Sequence, residues 1–344
     1  MIQWNLPVFG ICGWSGSGKT TLIEEVIHRL TPRRLRIAVI KHDVHGLNID
    51  RPGKDSDRFF NGGADAILTG PDQSFIRLHL TDETSLHNIL PLVAPFYDII
   101  LVEGHKSTPV PNKIWLKKTA DELCPPEADD VRHVMGPNDD RARIAIGIID
   151  SMLENMRYSA PLYAGVLIGG QSSRMGGPKH LITESGSTWL ERTVATARPF
   201  VNDVILLGEA AAPAALAGMT VLPDAMHGAG PISGMLSAMR WQPFASWLFL
   251  ACDLPKLSAQ AIEWLLSTRA PGIWASVPKS PDTDLLEPLF AHYDFRARHL
   301  LEQCDRPSDI ARFTKVMTPT VPEHLAEAWL NVNTPDDLAK LSGH

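Results

Sequence analysis

The segment Gly13-Trp14-Ser15-Gly16-Ser17-Gly18-Lys19-Thr20 follows an apolar run, Val8-Phe9-Gly10-Ile11-Cys12, and precedes a helical stretch over residues 21–30. It has the form GxxxxGK[ST] in the strand, loop and helix context that gives the form its mechanism. Glycines let backbone N–H groups wrap a phosphate chain, and the N-terminus of the next helix adds partial positive charge. The nucleotide-binding set in this loop is Gly13, Ser15, Gly16, Ser17, Gly18, Lys19, Thr20 and Thr21. Lys19 is suited to the β- and γ-phosphates and the Thr20 hydroxyl to Mg²⁺.

The same grammar starts again after residue 162. Residues 163–168 form an apolar run, residues 169–177 a small-residue loop, and residues 190–197 a helical stretch. Buried strands alternating with helices predict α/β layers built on mostly parallel sheets. At roughly 150 residues per domain, 344 residues accommodate two such units. Residues 142–158 read as a closing helix, and Tyr158-Ser159-Ala160-Pro161-Leu162 as a short linker. The expected domains are therefore 1–158 and 159–344.

Composition removes other classes. No apolar run approaches the roughly 18–20 residues of a membrane span. The start, MIQWNLPVFG, lacks the basic and long apolar parts of a signal peptide, which predicts a cytoplasmic protein. A formal charge of −7, without a Lys/Arg-rich tract, argues against a dedicated nucleic-acid binder. Cys12, Cys124, Cys252 and Cys304 form no CxxC pair and read as reduced thiols.

In the first half, the run Tyr97-Asp98-Ile99-Ile100-Leu101-Val102 ends in Glu103-Gly104-His105-Lys106. Glu103 is placed as a strand-end acid that holds the metal or its water, or else as a turn carboxylate. Lys41-His42-Asp43-Val44-His45-Gly46 follows another strand, and its His-x-x-His spacing reads as a switch-like loop near the phosphates rather than a metal pair. No NKxD guanine-reading tetrapeptide occurs, since Asn112-Lys113-Ile114-Trp115 lacks the Asp. The motifs alone give a nucleoside triphosphate with Mg²⁺ and leave the base open.

In the second half, Leu167-Ile168-Gly169-Gly170-Gln171-Ser172-Ser173-Arg174-Met175-Gly176-Gly177-Pro178-Lys179 is longer than a P-loop and carries an Arg and a Lys at fixed spacing. Such a loop bends around a triphosphate, with cations on the charge that grows at a leaving pyrophosphate. Leu167, Ile168, Gly169 and Gly170 are expected beside the base and ribose, and Arg174 and Lys179 on phosphate. The run Trp247-Leu248-Phe249-Leu250-Ala251-Cys252 ends at Asp253, where an open α/β sheet binds ligands. Arg174, Lys179 and Asp253 are the catalytic candidates, with Asp253 also the metal ligand. Cys252 has no His partner in view and reads as buried packing. Asp224, ahead of Gly230-Pro231-Ile232-Ser233-Gly234, is either an acceptor for a guanine edge or ribose, or a turn-former; Gly230 and Gly234 are expected to admit the ligand. Asn331 and Asn333, in Asn331-Val332-Asn333-Thr334-Pro335, either complete the metal or phosphate shell or flank a helix cap.

Two resemblances follow. Lys41-His42, His45-Gly46, Asp50-Arg51-Pro52-Gly53-Lys54-Asp55-Ser56, Gly62-Gly63-Ala64-Asp65-Ala66 and Val102-Glu103-Gly104-His105-Lys106 closely resemble the adapter family of molybdopterin guanine dinucleotide synthesis, usually called MobB, over residues 7–155. That family commonly has an apolar aromatic where His105 stands. The resemblance implies a P-loop NTPase fold, GTP binding with at most weak hydrolysis, service to a partner transferase, and a homodimer through this domain. The loop ending at Lys179, the Asp224 and Gly230-Gly234 segment, Cys252-Asp253-Leu254-Pro255 and the 331–338 segment resemble the molybdenum cofactor guanylyltransferase family, usually called MobA, over residues 162–342. This implies a Rossmann-like nucleotidyltransferase fold (related to nucleotide-diphospho-sugar transferases), with GTP and molybdopterin as substrates and molybdoenzyme apoproteins or molybdenum-insertion proteins as downstream partners. Pro178 replaces an Asp frequent in the family, and Gly186-Ser187-Thr188 lacks a frequent Lys. Competing readings are a cytidylyl- or other nucleotidyltransferase of the same fold, and a GTP-dependent cofactor carrier or scaffold with an inactive second half.

Overall fold

The computed structural model describes residues 6–43, 46–47, 49–79, 85–168, 178–184, 186–225 and 230–332. The chain divides into two compact units, Met1–Ile149 and Asp150–His344.

The first unit contains strands β1 (Val8–Gly13), β2 (Ile37–Lys41), β3 (Ala66–Thr69), β4 (Ser74–Arg77), β5 (Ile99–Glu103), β6 (Lys113–Leu116) and β7 (Val131–Met135). Five of these form a parallel sheet in the order β2-β5-β1-β6-β7, while β3 and β4 make a separate antiparallel ribbon. Every residue of β1, β5 and β6 is buried, as expected of central strands covered on both faces. Helix α1 (Lys19–Leu30) buries Leu22, Ile23, Val26 and Leu30, a single stripe at helical spacing. Helices α2 (Asp55–Asn61) and α3 (Ser85–Val93) follow, and α4 (Arg141–Ser159) contains the point where the two units divide. The 158/159 join read from the sequence falls at the end of that helix.

The second unit has strands β8 (Leu162–Leu167), β9 (Thr183–Glu184), β10 (Ser187–Thr188), β11 (Asp203–Leu207), β12 (Val221–Leu222), β13 (Ser246–Ala251), β14 (Ala275–Ser276), β15 (Phe290–Tyr293) and β16 (Val316–Met317). Seven form one sheet in the order β12-β11-β8-β13-β15-β14-β16. The β12-β11-β8-β13 part is parallel, but β15 runs antiparallel to both β13 and β14. Period-two alternation along β13 sends Leu248 and Leu250 to one core with Leu190, Val194, Ile262 and Leu265, and Trp247 and Phe249 to the other with Met235, Met239 and Tyr293. Helices α5 (Trp189–Ala197) and α7 (Ala259–Ser267) thus cover one face, and α6 (Pro231–Trp241) and the short α8 (Arg298–Leu301) the other. Truncating Trp247 or Phe249 to Ala in such a core costs about 3–5 kcal/mol. No helix among the described residues is long and apolar enough to cross a membrane.

Candidate nucleotide sites

In the first unit the loop between β1 and α1 is set by backbone conformations that L side chains rarely adopt. Gly13 has φ 151° and Gly18, which caps α1, φ 89°. A Cβ on Gly13 would lie 2.5 Å from Ser17 Oγ and 2.6 Å from the Leu116 carbonyl oxygen, so no other residue fits there. Lys19 Nζ donates to the carbonyl oxygens of Gly13 (3.1 Å) and Trp14 (2.9 Å), which folds the ammonium over the loop. Ser17 is 3% exposed, and its Oγ has no hydrogen-bond partner among the described residues. A buried hydroxyl left unsatisfied is costly, and a phosphate oxygen or a metal-bound water would satisfy it. Thr20 faces outward in the first turn of α1.

Parallel pairing brings Glu103 beside Ile11, immediately before the loop, and beside Lys41 on the other side. Glu103 is buried at the C-terminal end of β5, as expected of a strand-end acid. His42 and His105 lie with ring centroids 4.6 Å apart. Burial and then His42 hold the His105 imidazole down at about 4, so at neutral pH it is an uncharged flat ring, close in character to the aromatic it replaces. His45 lies outside the described residues.

Two features of this unit escape the motif reading, and the structure gives a third, already quoted motif a local task. Lys113 is fully buried in β6, and its ammonium donates to the carbonyl oxygens of His105 (3.1 Å), Lys106 (3.0 Å) and Thr108 (2.5 Å). It pins the chain just beyond Glu103. A lysine inside an otherwise apolar strand was the available signal. Arg141 spreads its guanidinium over the carbonyl oxygens of Gly136 (2.8 Å), Ser17 (2.7 Å) and Lys117 (2.5 Å), tying the phosphate loop to the ends of β6 and β7. Its planar fork suits three divergent acceptors. The Asp50 to Ser56 motif is a clasp: Asp50 accepts from Ser56 Oγ (2.9 Å) and Arg77 (3.2 Å), and Arg77 also reaches Asp57 (3.1 Å) while covering the Phe60 ring.

In the second unit Lys179 opens a short 3-10 turn after Pro178, and its Nζ lies 2.9 Å from Asp253 Oδ2. Asp253 follows β13, and its backbone carbonyl accepts from Val332 N at 3.2 Å, which seats the 331–332 segment against this strand end. Asn331 Nδ2 donates to Glu287 Oε2 at 3.2 Å. Burial, followed by the Asp253 charge, pushes Cys252 up to about 12, so the thiol is packing and not a nucleophile.

Leu167 and Asp224 meet at α6. A Cβ on Gly234 would lie 3.3 Å from Leu207 Cβ, 3.4 Å from Asp224 Oδ1 and 3.7 Å from Leu167 Cδ2. The absence of a side chain at Gly234 lets these protein neighbours approach the helix closely. Ser233 Oγ donates to the Ala225 carbonyl at 2.7 Å and holds the chain after Asp224 against this helix. Ser187, where the family's frequent Lys is missing, sits in the β9-β10 ribbon next to Thr188, which caps α5 in a capping box with Glu191. Ile168 is buried at the end of β8. Gly169, Gly170, Arg174 and Asn333 lie outside the described residues. Glu287 was not singled out from the sequence, because only the antiparallel β15 brings it to this end of the sheet.

Among the described residues no group of three or more His, Cys, Asp or Glu side chains is arranged to hold a metal, and all four cysteines are free thiols.

Residues 8–135 match the family described as molybdopterin guanine dinucleotide synthesis protein B, and residues 164–323 match the MobA-like NTP transferase domain family. The molybdopterin-guanine dinucleotide biosynthesis adapter protein of Haemophilus influenzae is 38% identical over 130 residues, covering 36% of this chain and 71% of that protein. A protein of Pelotomaculum thermopropionicum named "Probable molybdenum cofactor guanylyltransferase" is 30% identical over 185 residues, covering 51% and 89%. A "Molybdenum cofactor biosynthesis bifunctional protein" of Synechocystis sp. is 27% identical over 192 residues, covering 53% and 54%.

Proposed function

Because the chain belongs to the MobB adapter family through its first half and to the MobA-like molybdenum cofactor guanylyltransferase family through its second, we propose that it transfers GMP from GTP to molybdopterin while its first half binds a separate GTP as an adapter. The reaction is an in-line displacement. An oxygen of the terminal phosphate of molybdopterin bonds to the α-phosphorus of GTP, the bond from that phosphorus to the bridging β-phosphate oxygen breaks, and pyrophosphate leaves. The nucleophile is already ionised at neutral pH, so positioning and charge neutralisation supply most of the catalysis.

The observation that carries this reading is the pairing of Lys179 with Asp253 at the C-terminal end of β13. Lys179, together with Arg174, meets the charge that grows on the leaving pyrophosphate. Leu167, Ile168, Gly169, Gly170 and Asp224 take the guanosine side. Asp253 would hold Mg²⁺ here, and Thr20 and Glu103 in the first half. A lone strand-end carboxylate suits that ion, which is bound through one or two carboxylates plus substrate phosphates. Bound there, Mg²⁺ supplies charge neutralisation on phosphate oxygens. Lys19 and Thr20 take no part in the transfer, and joining the halves in one chain puts adapter and transferase at roughly millimolar local concentration. Ile67 and Ile76, paired across the β3-β4 ribbon and 70% and 59% exposed, support a second copy of this chain as the partner of the first half.

The test is pyrophosphate release from Mg-GTP and molybdopterin. Release matched by dinucleotide, with GTP and not CTP, is the expected result; a folded protein that releases none with both substrates present rejects it. Turnover of CTP instead identifies a cytidylyltransferase.

A further inference from the structure

We propose that the cavity beside Glu287 is the subsite for the ring system of the acceptor, a fused 2-amino-4-oxopyrimidine, and that the Glu287 carboxylate is what selects it. The inference rests on the transferase reading of the second half and names the residues that reading leaves unassigned.

Strands β13 and β15 pair antiparallel with Trp247 opposite Tyr293 and Leu250 opposite Phe290. The Ala251 N–H donates to the Leu289 carbonyl at 2.7 Å and carries the register further. Before β15 the chain turns, with the Phe290 N–H donating to the Glu287 carbonyl at 3.2 Å, so Glu287 stands at the same end of the sheet as Asp253. The two carboxylates have different company. Asp253 is met by the Lys179 ammonium at 2.9 Å. Glu287 accepts from the Asn331 amide at 3.2 Å, and among the described residues no Lys or Arg pairs with it. Burial, then the nearby Asp253 charge, raise its carboxyl to about 7. A half-buried carboxyl with one neutral donor contributes little to the fold. Its remaining acceptor capacity is open to a ligand.

A cavity of about 280 Å³ opens beside it, lined also by Asp282, Thr283, Val321 and Leu330. That is just below the roughly 300–1,000 Å³ of sites for drug-sized ligands, enough for one flat ring system and not for a dinucleotide. Among the described residues no Lys or Arg lines it, and two carboxylates, Asp282 and Glu287, do. A phosphate is repelled there. A neutral heterocycle with adjacent ring N–H and amino donors fits, because one carboxylate accepts both in a bidentate pair. Guanine presents the same edge, but the guanosine candidates Leu167 and Asp224 belong to the β8 and β11 side of the sheet, and β13 separates them from β15. The order across the sheet is then base, reacting phosphates at Asp253, acceptor ring at Glu287.

The test is steady-state pyrophosphate release with molybdopterin and Mg-GTP varied separately. Glu287→Gln, which keeps the shape but cannot accept twice, raises KM for molybdopterin about tenfold or more and leaves KM for GTP nearly unchanged. Thr283→Trp, which fills the cavity without touching the carboxyl, acts in the same direction. Unsubstituted pterin, which has no phosphate, competes with molybdopterin against the natural chain and loses that effect in Glu287→Gln. A rise in KM for GTP instead assigns Glu287 to the nucleotide and overturns the proposal, as does no change in either KM. Should the natural chain release no pyrophosphate, the transferase reading fails by itself. Binding of pterin, followed by its own fluorescence, to the natural chain and to Glu287→Gln then decides the subsite: equal affinity, or no binding to either, overturns it.

Discussion

Lys179 and Asp253 stand 74 residues apart in sequence, yet the ammonium of one lies 2.9 Å from a carboxylate oxygen of the other, with both side chains largely shielded from water. The contact joins the end of a glycine-rich loop to the end of a central strand. It neutralises both charges at the point where a triphosphate and its metal would sit. On the reading proposed above, a bound triphosphate would draw the Lys179 ammonium away from Asp253 and leave that carboxylate to hold Mg²⁺.

Lys179→Ala and Asp253→Ala should each lower kcat for pyrophosphate release by about 10²–10³-fold, the scale of losing one preorganised transition-state contact. Because the two side chains touch, the double substitution should lose less than the product of the single effects. Rates within severalfold of the natural chain in either single variant would remove both residues from the chemistry.

The first half predicts a separation of effects. Lys19→Ala should reduce GTP bound per chain from two to one by isothermal titration calorimetry. The transfer rate at saturating substrates should stay within about twofold, since independent sites couple weakly. A large fall in transfer rate would mean that the two nucleotide sites act together.

How much of this was legible depended on distance along the chain. Gly13, Ser17 and Lys19 announce themselves because their work is done within one short loop, and Leu22, Ile23 and Val26 because a helix repeats locally. Asp253 and Lys179 were legible one at a time, as a strand-end acid and a loop cation, but nothing local pairs them. Glu287 was hidden for a sharper reason: a mostly parallel sheet gives no cause to look for a residue ahead of a strand near Asp253, and only the reversed β15 starts at that end of the sheet. Asp50 and Ser56 read as a family signature, whereas the structure gives them a local task, gripping Arg77 of the β4 strand. Lys113 was weighed only as part of a failed base-reading tetrapeptide, because a sequence does not display which backbone carbonyls converge on an ammonium.

Lys113 is expected to matter for the shape of the chain beyond Glu103. Burial pushes its pKa down, yet three carbonyl oxygens accept hydrogen bonds from its ammonium. In Lys113→Met the apolar stem remains and those acceptors lose their donor, which should destabilise the first unit by roughly 1–3 kcal/mol. Urea denaturation should show the loss, and hydrogen exchange should rise over residues 104–110. Unchanged exchange there would mean that the ammonium does not hold this segment.

His292 gives the second unit a defined response to acid. It is buried in β15 between Leu248 of β13 and Ser276 of β14, and its Nε2 has no hydrogen-bond partner among the described residues. Burial, followed by the charges of Arg269 and Arg157, depresses its pKa to about 3 from the ordinary 6.5. The folded state therefore keeps the ring neutral while the unfolded chain binds a proton between those values. Stability contributed by the neutral ring is complete above about pH 6.5 and falls as pH drops towards 3, by at most about 1.4 kcal/mol per pH unit. His292→Phe keeps a ring of similar shape and removes the titrating nitrogens, so it should flatten this dependence. Urea midpoints of the natural chain and the variant, measured from pH 7.5 down to 5, should converge or cross as the natural chain weakens. Parallel curves across that range would show that His292 is protonated equally in the folded and unfolded states, and would remove it as the source of acid sensitivity.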